Sequence, residues 1–320
     1  MNLFRMVAVG AVAWLTLGAN PSRASDLCDR ACLEKHVDNF ISAMLAHDPR
    51  NLPLARDVHF TENGQALRLG DGLWNTVSAP GKYKIYVADT ESSQVGFFGT
   101  LYENGSPILI ALRLKVDEQL ISEAEMIVAR PNRSLTGSET VAGDRLEKVG
   151  KPRPQFSQTV PEAERLSRAD LTRIANSYFT GLANNTGRNL APFWDSCVRW
   201  ENGGPTTGRP KTGEGLDILS MGCRAQVETA FFSFVTSIRN RRFPIIDRER
   251  GLALAFAFFE HTGAVRQIHL TNGQTIASPV TAPLTYQISE LFQIHGGKID
   301  QIEAVIDTVP YGMKNAYWDE

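Results

Sequence analysis

The sequence predicts an α+β protein built from one unit written twice. Three observations carry that expectation. A helical apolar pattern opens each half of the chain. Several strand patterns follow it. Between them, after an aromatic residue at a strand-like position, stands the same tripeptide: "FTENG" at 60–64 and "RWENG" at 199–203. Helices first and strands later in each half indicate class α+β.

Taken in order, residues 1–24 read as a secretory signal peptide. Arg5 precedes an apolar run from Met6 to Leu17, and Ser22 and Ala24 sit like an A-x-A cleavage site. The run is shorter than the roughly 20 residues a membrane span needs. The expected location is secreted or periplasmic, with no membrane attachment after cleavage. The first unit covers 25–130. Val37, Ile41, Met44 and Leu45 follow helical spacing, and a polar loop ending in Arg50-Asn51-Leu52 stops the helix. The strand with Glu-Asn-Gly comes next, then "GDGLW" (70–74), "VGFFGTLYENG" (95–105), "ILIALRLKV" (108–116) and "ISEAEMIV" (121–128). In 108–116, Ile108, Ile110, Leu112, Leu114 and Val116 share one face, and Leu109, Ala111, Arg113 and Lys115 share the other. Such a sheet is covered on both sides, by helices on one and by something else on the other.

Residues 131–168 are polar, with several Pro and Gly, and read as a linker. The second unit covers 169–320. Leu171, Ile174, Tyr178 and Leu182 repeat the helix, and "LALAFAFFEHTG" (252–263) and "IDQIEAVI" (299–306) repeat the strands at growing offsets. Two insertions account for the growth: a longer helix over roughly Glu214 to Ile238, rich in Phe231, Phe232 and Phe234, and a lengthened strand connection within 265–286.

The whole chain has 320 residues, room for two ordinary domains, and its 42% hydrophobic and 21% charged content suits a soluble globular protein. A formal charge of -2 leaves no basic excess for phosphates, which argues against nucleic acid as a partner. The even number of cysteines in an exported chain suggests disulfides, with three possible pairings. The simplest is local, Cys28 with Cys32 and Cys197 with Cys223. The C-x3-C spacing differs from a C-x2-C zinc knuckle and no His pair at metal spacing follows, so no metal is expected.

The order of elements, with "FTENG", "GDGLW", "GFFG", "LRLKV" and the closing "VPYGM", resembles the nuclear transport factor 2-like superfamily and, within it, exported SnoaL-like tandem proteins of unknown function. The resemblance implies two cone-shaped α+β barrels, each a curved antiparallel sheet wrapped by helices around an apolar pocket. It implies that Glu-Asn-Gly lies at the pocket mouth, that Glu62 and Glu201 are counterparts, and that Asn63 and Asn202 are too. It also implies packing of the two units as an intrachain pseudo-dimer, hence a monomer, and chemistry without a cofactor. The fold alone assigns no reaction.

Reactions of that kind need a carboxylate or His in an apolar pocket and a polar group for the developing oxyanion. The first copy keeps the compact pattern, so Glu62, Asn63 and Arg113 are the expected catalytic set, with His261 the best catalytic histidine. Trp74, Phe97, Glu125, Glu201, Asn202 and Glu303 are expected to bind substrate. Each has a structural competitor. Asn-Gly makes turns, Arg113 can neutralise Glu125 on the neighbouring strand, and Trp74 and Phe97 can fill a core. The cluster Arg239, Arg241, Arg242, Asp247, Glu249 and Arg250 is more simply a solvated hairpin. No Gly-x-Ser-x-Gly, P-loop or G-x-G-x-x-G is present. Two functions remain open: an exported cofactor-independent lyase, isomerase or hydrolase acting on a small apolar, aromatic or polyketide-like molecule, or a noncatalytic binding or assembly module. A Glu facing an apolar pocket without an Arg partner would favour catalysis.

Overall fold

A computed structural model of the chain describes residues 28–133, 139–140, 143–183, 185–188 and 190–316. The signal peptide expected over 1–24 lies outside the described residues. The first unit runs α1 (Arg30–Leu45), β1 (Leu54–Glu62), β2 (Gln65–Leu67), β3 (Val77–Asp89), β4 (Gln94–Glu103), β5 (Ser106–Asp117) and β6 (Leu120–Ala129). A short hairpin, β7 (Asn132–Arg133) with β8 (Glu139–Thr140), and α2 (Asp144–Val149) follow. The second unit runs α3 (Arg168–Leu182), β9 (Phe193–Glu201), β10 (Gly204–Pro205), α4 (Cys223–Glu228), β11 (Ser237–Asp247), β12 (Leu252–His261), β13 (Gln267–His269), β14 (Thr275–Ala277), β15 (Leu284–His295) and β16 (Lys298–Val309).

The two large sheets have one topology. Their orders are β2-β1-β6-β5-β4-β3 and β10-β9-β16-β15-β12-β11. Each position in the first has its counterpart in the second, and the fold is the tandem α+β duplication that the sequence predicts. The sheets are mixed rather than antiparallel throughout, because β1 runs parallel to β6, and β9 to β16. The second insertion is the β13–β14 hairpin. The expected long helix over 214–238 does not form. Instead there are a 3₁₀ turn at Ile218–Ser220, α4, and a second 3₁₀ turn at Phe231–Phe234. Gly222 caps α4, and Ala230 adopts a left-handed φ of 62° that no helix can pass through.

The two long helices, α1 and α3, are each started by a side chain. Asp29 accepts from the Cys32 amide at 2.8 Å, and Ser167 from the Asp170 amide at 3.1 Å. The apolar faces of α1 and α3 then cover the inner faces of their sheets. The disulfides join Cys28 to Cys32 and Cys197 to Cys223, the local pairing, with Cα separations of 5.3 and 5.7 Å.

The outer faces meet each other. Tyr83, Ile85, Val87, Phe98, Leu109, Ala111 and Ile127 of the first unit form one buried cluster with Ile245, Leu252, Leu254, Phe256, Leu291 and Val305 of the second. Leu146 and Phe156, from the segment read as a linker, are buried in the same cluster. Ion pairs ring this apolar layer. Arg30 reaches Asp247 at 2.8 Å and Glu249 at 2.7 Å, and Arg168 reaches Asp89 at 2.7 Å. The charge-rich run 239–250 is thus no solvated hairpin. Its Asp247 is 1% exposed and pairs across the two units.

Candidate active site

The repeated Glu-Asn-Gly is first of all a turn. Asn63 and Gly64 have φ of 46° and 77°, and Asn202 and Gly203 have 44° and 72°, which is the type I′ hairpin. The Asn side chain then does a second job. Asn63 Oδ1 accepts from the Val128 amide at 2.7 Å while its Nδ2 donates to the Val128 carbonyl at 3.2 Å. Asn202 repeats this on Ile306, at 2.8 and 2.9 Å. The amide imitates one more peptide unit and extends the parallel strand pair. Asn63 Nδ2 also donates to Asp307 of the second unit at 2.8 Å.

The remaining expected residues of the first unit are similarly engaged. Glu62 accepts from the Leu73 amide at 2.7 Å and pairs with Arg130 at 3.2 Å. Gly72 makes room for it, since a Cβ there would fall 2.3 Å from Glu62 Oε2. Trp74 and Phe97 are fully buried in the unit's apolar core, Trp74 edge-on to Phe40 at 5.2 Å. Arg113 and Glu125 stand opposite each other on β5 and β6, on the face turned towards the second unit, with Nε 3.0 Å from Oε2. Arg242 of the second unit joins them by a close ion pair to Glu125. Glu303 lies on the corresponding face of β16, 2.6 Å from the Tyr83 hydroxyl and 3.0 Å from Arg153. These charges belong to the layer between the units.

The second unit differs at its centre, and the strand register locates the difference. In the first unit one row across the inner face reads Phe97, Leu112, Met126, Glu62. The equivalent row in the second reads Ala255, Glu290, Ala304, Glu201. Two large apolar side chains have become alanines, and the leucine between them has become a carboxylic acid. One row deeper, Phe60 beside Ala124 is replaced by Arg199 beside Ile302. On the covering helix, the buried series Leu33, Val37, Phe40, Ile41, Met44 returns as Leu171, Ala175, Tyr178, Phe179, Leu182, so Tyr178 stands for Phe40.

These substituted positions meet. Arg199 Nη1 donates to the Tyr178 hydroxyl at 3.1 Å and Nη2 to Gln226 Oε1 at 2.7 Å, and Nε lies 3.0 Å from Glu201 Oε1. The Phe232 ring caps the guanidinium at 4.9 Å. Burial opposes the charge of Arg199, but Tyr178 and Glu201 more than offset it and raise its pKa. Glu290 is 2% exposed. Burial pushes its carboxyl up to about 8; nearby Glu201 adds to this, while Arg199 and a hydrogen bond with Tyr178 oppose it. Its Oε2 has no hydrogen-bond partner. Glu201, by contrast, is partly open to solvent at the end of β9.

His261, at the end of β12, is 1% exposed, stacks on Phe234 at 5.7 Å and meets Tyr286 edge-on at 4.7 Å. Burial lowers its pKa to about 4, and its Nδ1 has no partner. Tyr178, Arg199 and Glu290 escaped the sequence reading as functional groups. A residue-by-residue overlay of the two copies along β5 and β15 would have exposed Leu112 against Glu290.

A family described as "Domain of unknown function (DUF8021)" matches residues 164–306, which lie almost wholly in the second unit. No curated protein matches the chain. Among solved structures, similar ones are an M. tuberculosis LEH-like epoxide hydrolase (12% identity, 43% of this chain and 84% of that one, TM-score 0.25), an NTF2-like protein from Anabaena variabilis (14%, 45% and 96%, 0.26) and a hexachlorocyclohexane dehydrochlorinase LinA-type3 from Novosphingobium barchaimii (12%, 46% and 92%, 0.26).

Proposed function

We propose that the chain is a cofactor-independent acid/base enzyme whose working site is the interior of the second unit. The observation that carries this reading is Glu290: a buried carboxyl with an unpartnered oxygen, flanked by two alanines where the twin unit has Phe97 and Met126. A core that only had to be filled would keep the leucine, because a buried polar atom without a partner costs about 1–3 kcal/mol. Burial raises the acid's pKa and keeps it protonated near neutrality, where it can deliver a proton to a bound molecule. Arg199 fixes the Tyr178 hydroxyl, and Tyr178 fixes Glu290. Glu201, one small residue away in the row, supplies a second carboxyl in a wetter setting. The pair therefore has two environments and two roles. Phe232 over Arg199, and Phe234 and Tyr286 against His261, give this unit an aromatic set suited to a small apolar or aromatic substrate.

Export fits this reading, since the N-terminal segment reads as a signal peptide and two disulfides suit an oxidising compartment. One observation favours the noncatalytic alternative: Glu62 and Glu201 both have Arg partners. A screen separates the two. The mature protein is incubated with aromatic and polyketide-like ketones, esters and epoxides, and products are read by mass spectrometry. Turnover is expected, and Glu290→Gln should lower kcat/KM by about 10²–10⁴ with an unchanged circular dichroism spectrum. Retained binding with no turnover in either protein would establish the binding module instead.

A further inference from the structure

The start of the first helix gathers soft ligands that the acid/base reading leaves unused. Cys32 and His36 are four residues apart on one face of α1, and Cys28 stands just before the helix's N-cap, Asp29. One ligand atom from each lies within 4.8 Å of the other two. His36 is 7% exposed, and its Nδ1 has no hydrogen-bond partner. A neutral imidazole ligates through such a nitrogen. Gln119 Oε1 lies 3.3 Å from Cys32 Sγ. A surface depression lined by Cys28, Ser93, Asp117, Gln119 and Ser122 gives access from solvent.

We propose that the Cys28–Cys32 bridge, once opened by a dithiol, becomes together with His36 a site for a zinc-like divalent cation. The dithiol supplies two electrons and closes into its own disulfide. The Cys28–Cys32 S–S bond breaks, and the dithiol's two protons pass to the two sulfurs. Cation binding then releases both protons, because thiolates are the ligands. Two thiolates and one imidazole fill three corners of a tetrahedron and leave the fourth for water or Gln119 Oε1. Donors on such an ion lie about 3–4 Å apart, so a cluster spanning 4.8 Å at most needs only small side-chain rotations. In an oxidising compartment the bridge keeps the site shut, and reduction exposes it.

The test uses the full mature chain, a mild dithiol and Co²⁺ as the spectroscopic probe, with the opened thiols mapped by alkylation and mass spectrometry. The expected result is free thiols at Cys28 and Cys32, one Co²⁺ bound per chain, and a thiolate-to-cobalt absorption band that Zn²⁺ abolishes and that oxidised protein lacks. Cys32→Ser and His36→Gln, each verified as folded by circular dichroism, should each weaken binding by about tenfold or more. The proposal is overturned by reduced protein that shows no band. A band indifferent to both substitutions, which would place the ion at Cys197 and Cys223, overturns it too. So does a chain that unfolds before the Cys28–Cys32 bridge opens.

Discussion

Glu290 stands, in the interior of the second unit, in the place that Leu112 holds in the first. Its folded pKa of about 8 stands above the ordinary carboxyl value of 4.5, so the folded state holds a proton that the unfolded chain has given up between those two values. The sign follows from the raised pKa. The contribution is fully present below about 4.5, falls by up to about 1.4 kcal/mol per pH unit as pH rises, and is lost above about 8. Glu290→Gln carries no titrating proton. Denaturant unfolding at pH 5 and pH 8 should therefore show the variant gaining stability relative to the parent as pH rises. Parallel stability curves for the two proteins would mean that Glu290 is solvated, and the proton-donor role would fall with it. Nothing in the local sequence announces this residue. In "LTYQISELFQIH" polar residues occupy both faces of β15, because its outer face carries Gln287, Ser289 and Gln293 into the layer between the units. Tyr178 sits at a helical core position, where a tyrosine reads as one more apolar side chain. Only the row shared with Ala255 and Ala304 separates function from filling.

At the scale of elements, the sequence was most legible where a local rule and a tertiary demand agree. Asn-Gly supplies the left-handed pair that a two-residue hairpin requires, so β1–β2 and β9–β10 could be placed from the motif. The same tripeptide also closes β4–β5 at Asn104-Gly105, where φ is 46° and 80°. Glu-Asn-Gly is therefore a hairpin signal in this chain before it is a site signal. Legibility failed over 214–238. There the helical run of apolar residues is overruled by a left-handed Ala230 and by the Cys197–Cys223 bridge, which pins the start of α4 to β9. The asparagines offer a direct measurement. Asn63→Ala and Asn202→Ala each remove two hydrogen bonds to a neighbouring strand and place an ordinary residue at positive φ. Each should cost about 1–3 kcal/mol in chemical denaturation. Asn104→Ala, on an exposed turn, should cost less. Equal losses at all three sites would show that turn geometry alone matters and that the amide does not extend the parallel pair.

For the molecule as a whole, the duplication solves a packing problem that each unit has on its own. The alternation in 108–116 forecast a second covered face, and the structure covers it with the other copy. Gly96 shows how close the approach is, since a Cβ there would fall 2.4 Å from Leu254 Cδ2 and 3.2 Å from Ile245 Cδ1. Gly96→Val should wedge the sheets apart and cost about 1–3 kcal/mol, and Leu254→Ala should recover part of the loss in a double-mutant cycle. Additive effects would place Gly96 outside the interface. The same packing bears on assembly. A unit alone would expose Tyr83, Ile85, Val87, Phe98 and Leu109 together, an apolar patch that soluble proteins bury against a partner. Covalent linkage supplies that partner at high effective concentration, so this face is covered without a second chain. Among the large apolar side chains described, those on the surface, Leu120, Val149, Leu219 and Tyr311, stand far apart in sequence and are 36–48% exposed, and none of them belongs to the inter-unit cluster. The mature protein should therefore sediment as a monomer across a hundredfold range of concentration. A concentration-independent dimer would mean that the apolar layer can be shared between chains, by exchange of units across the 131–168 segment, and the intrachain arrangement would have to be given up.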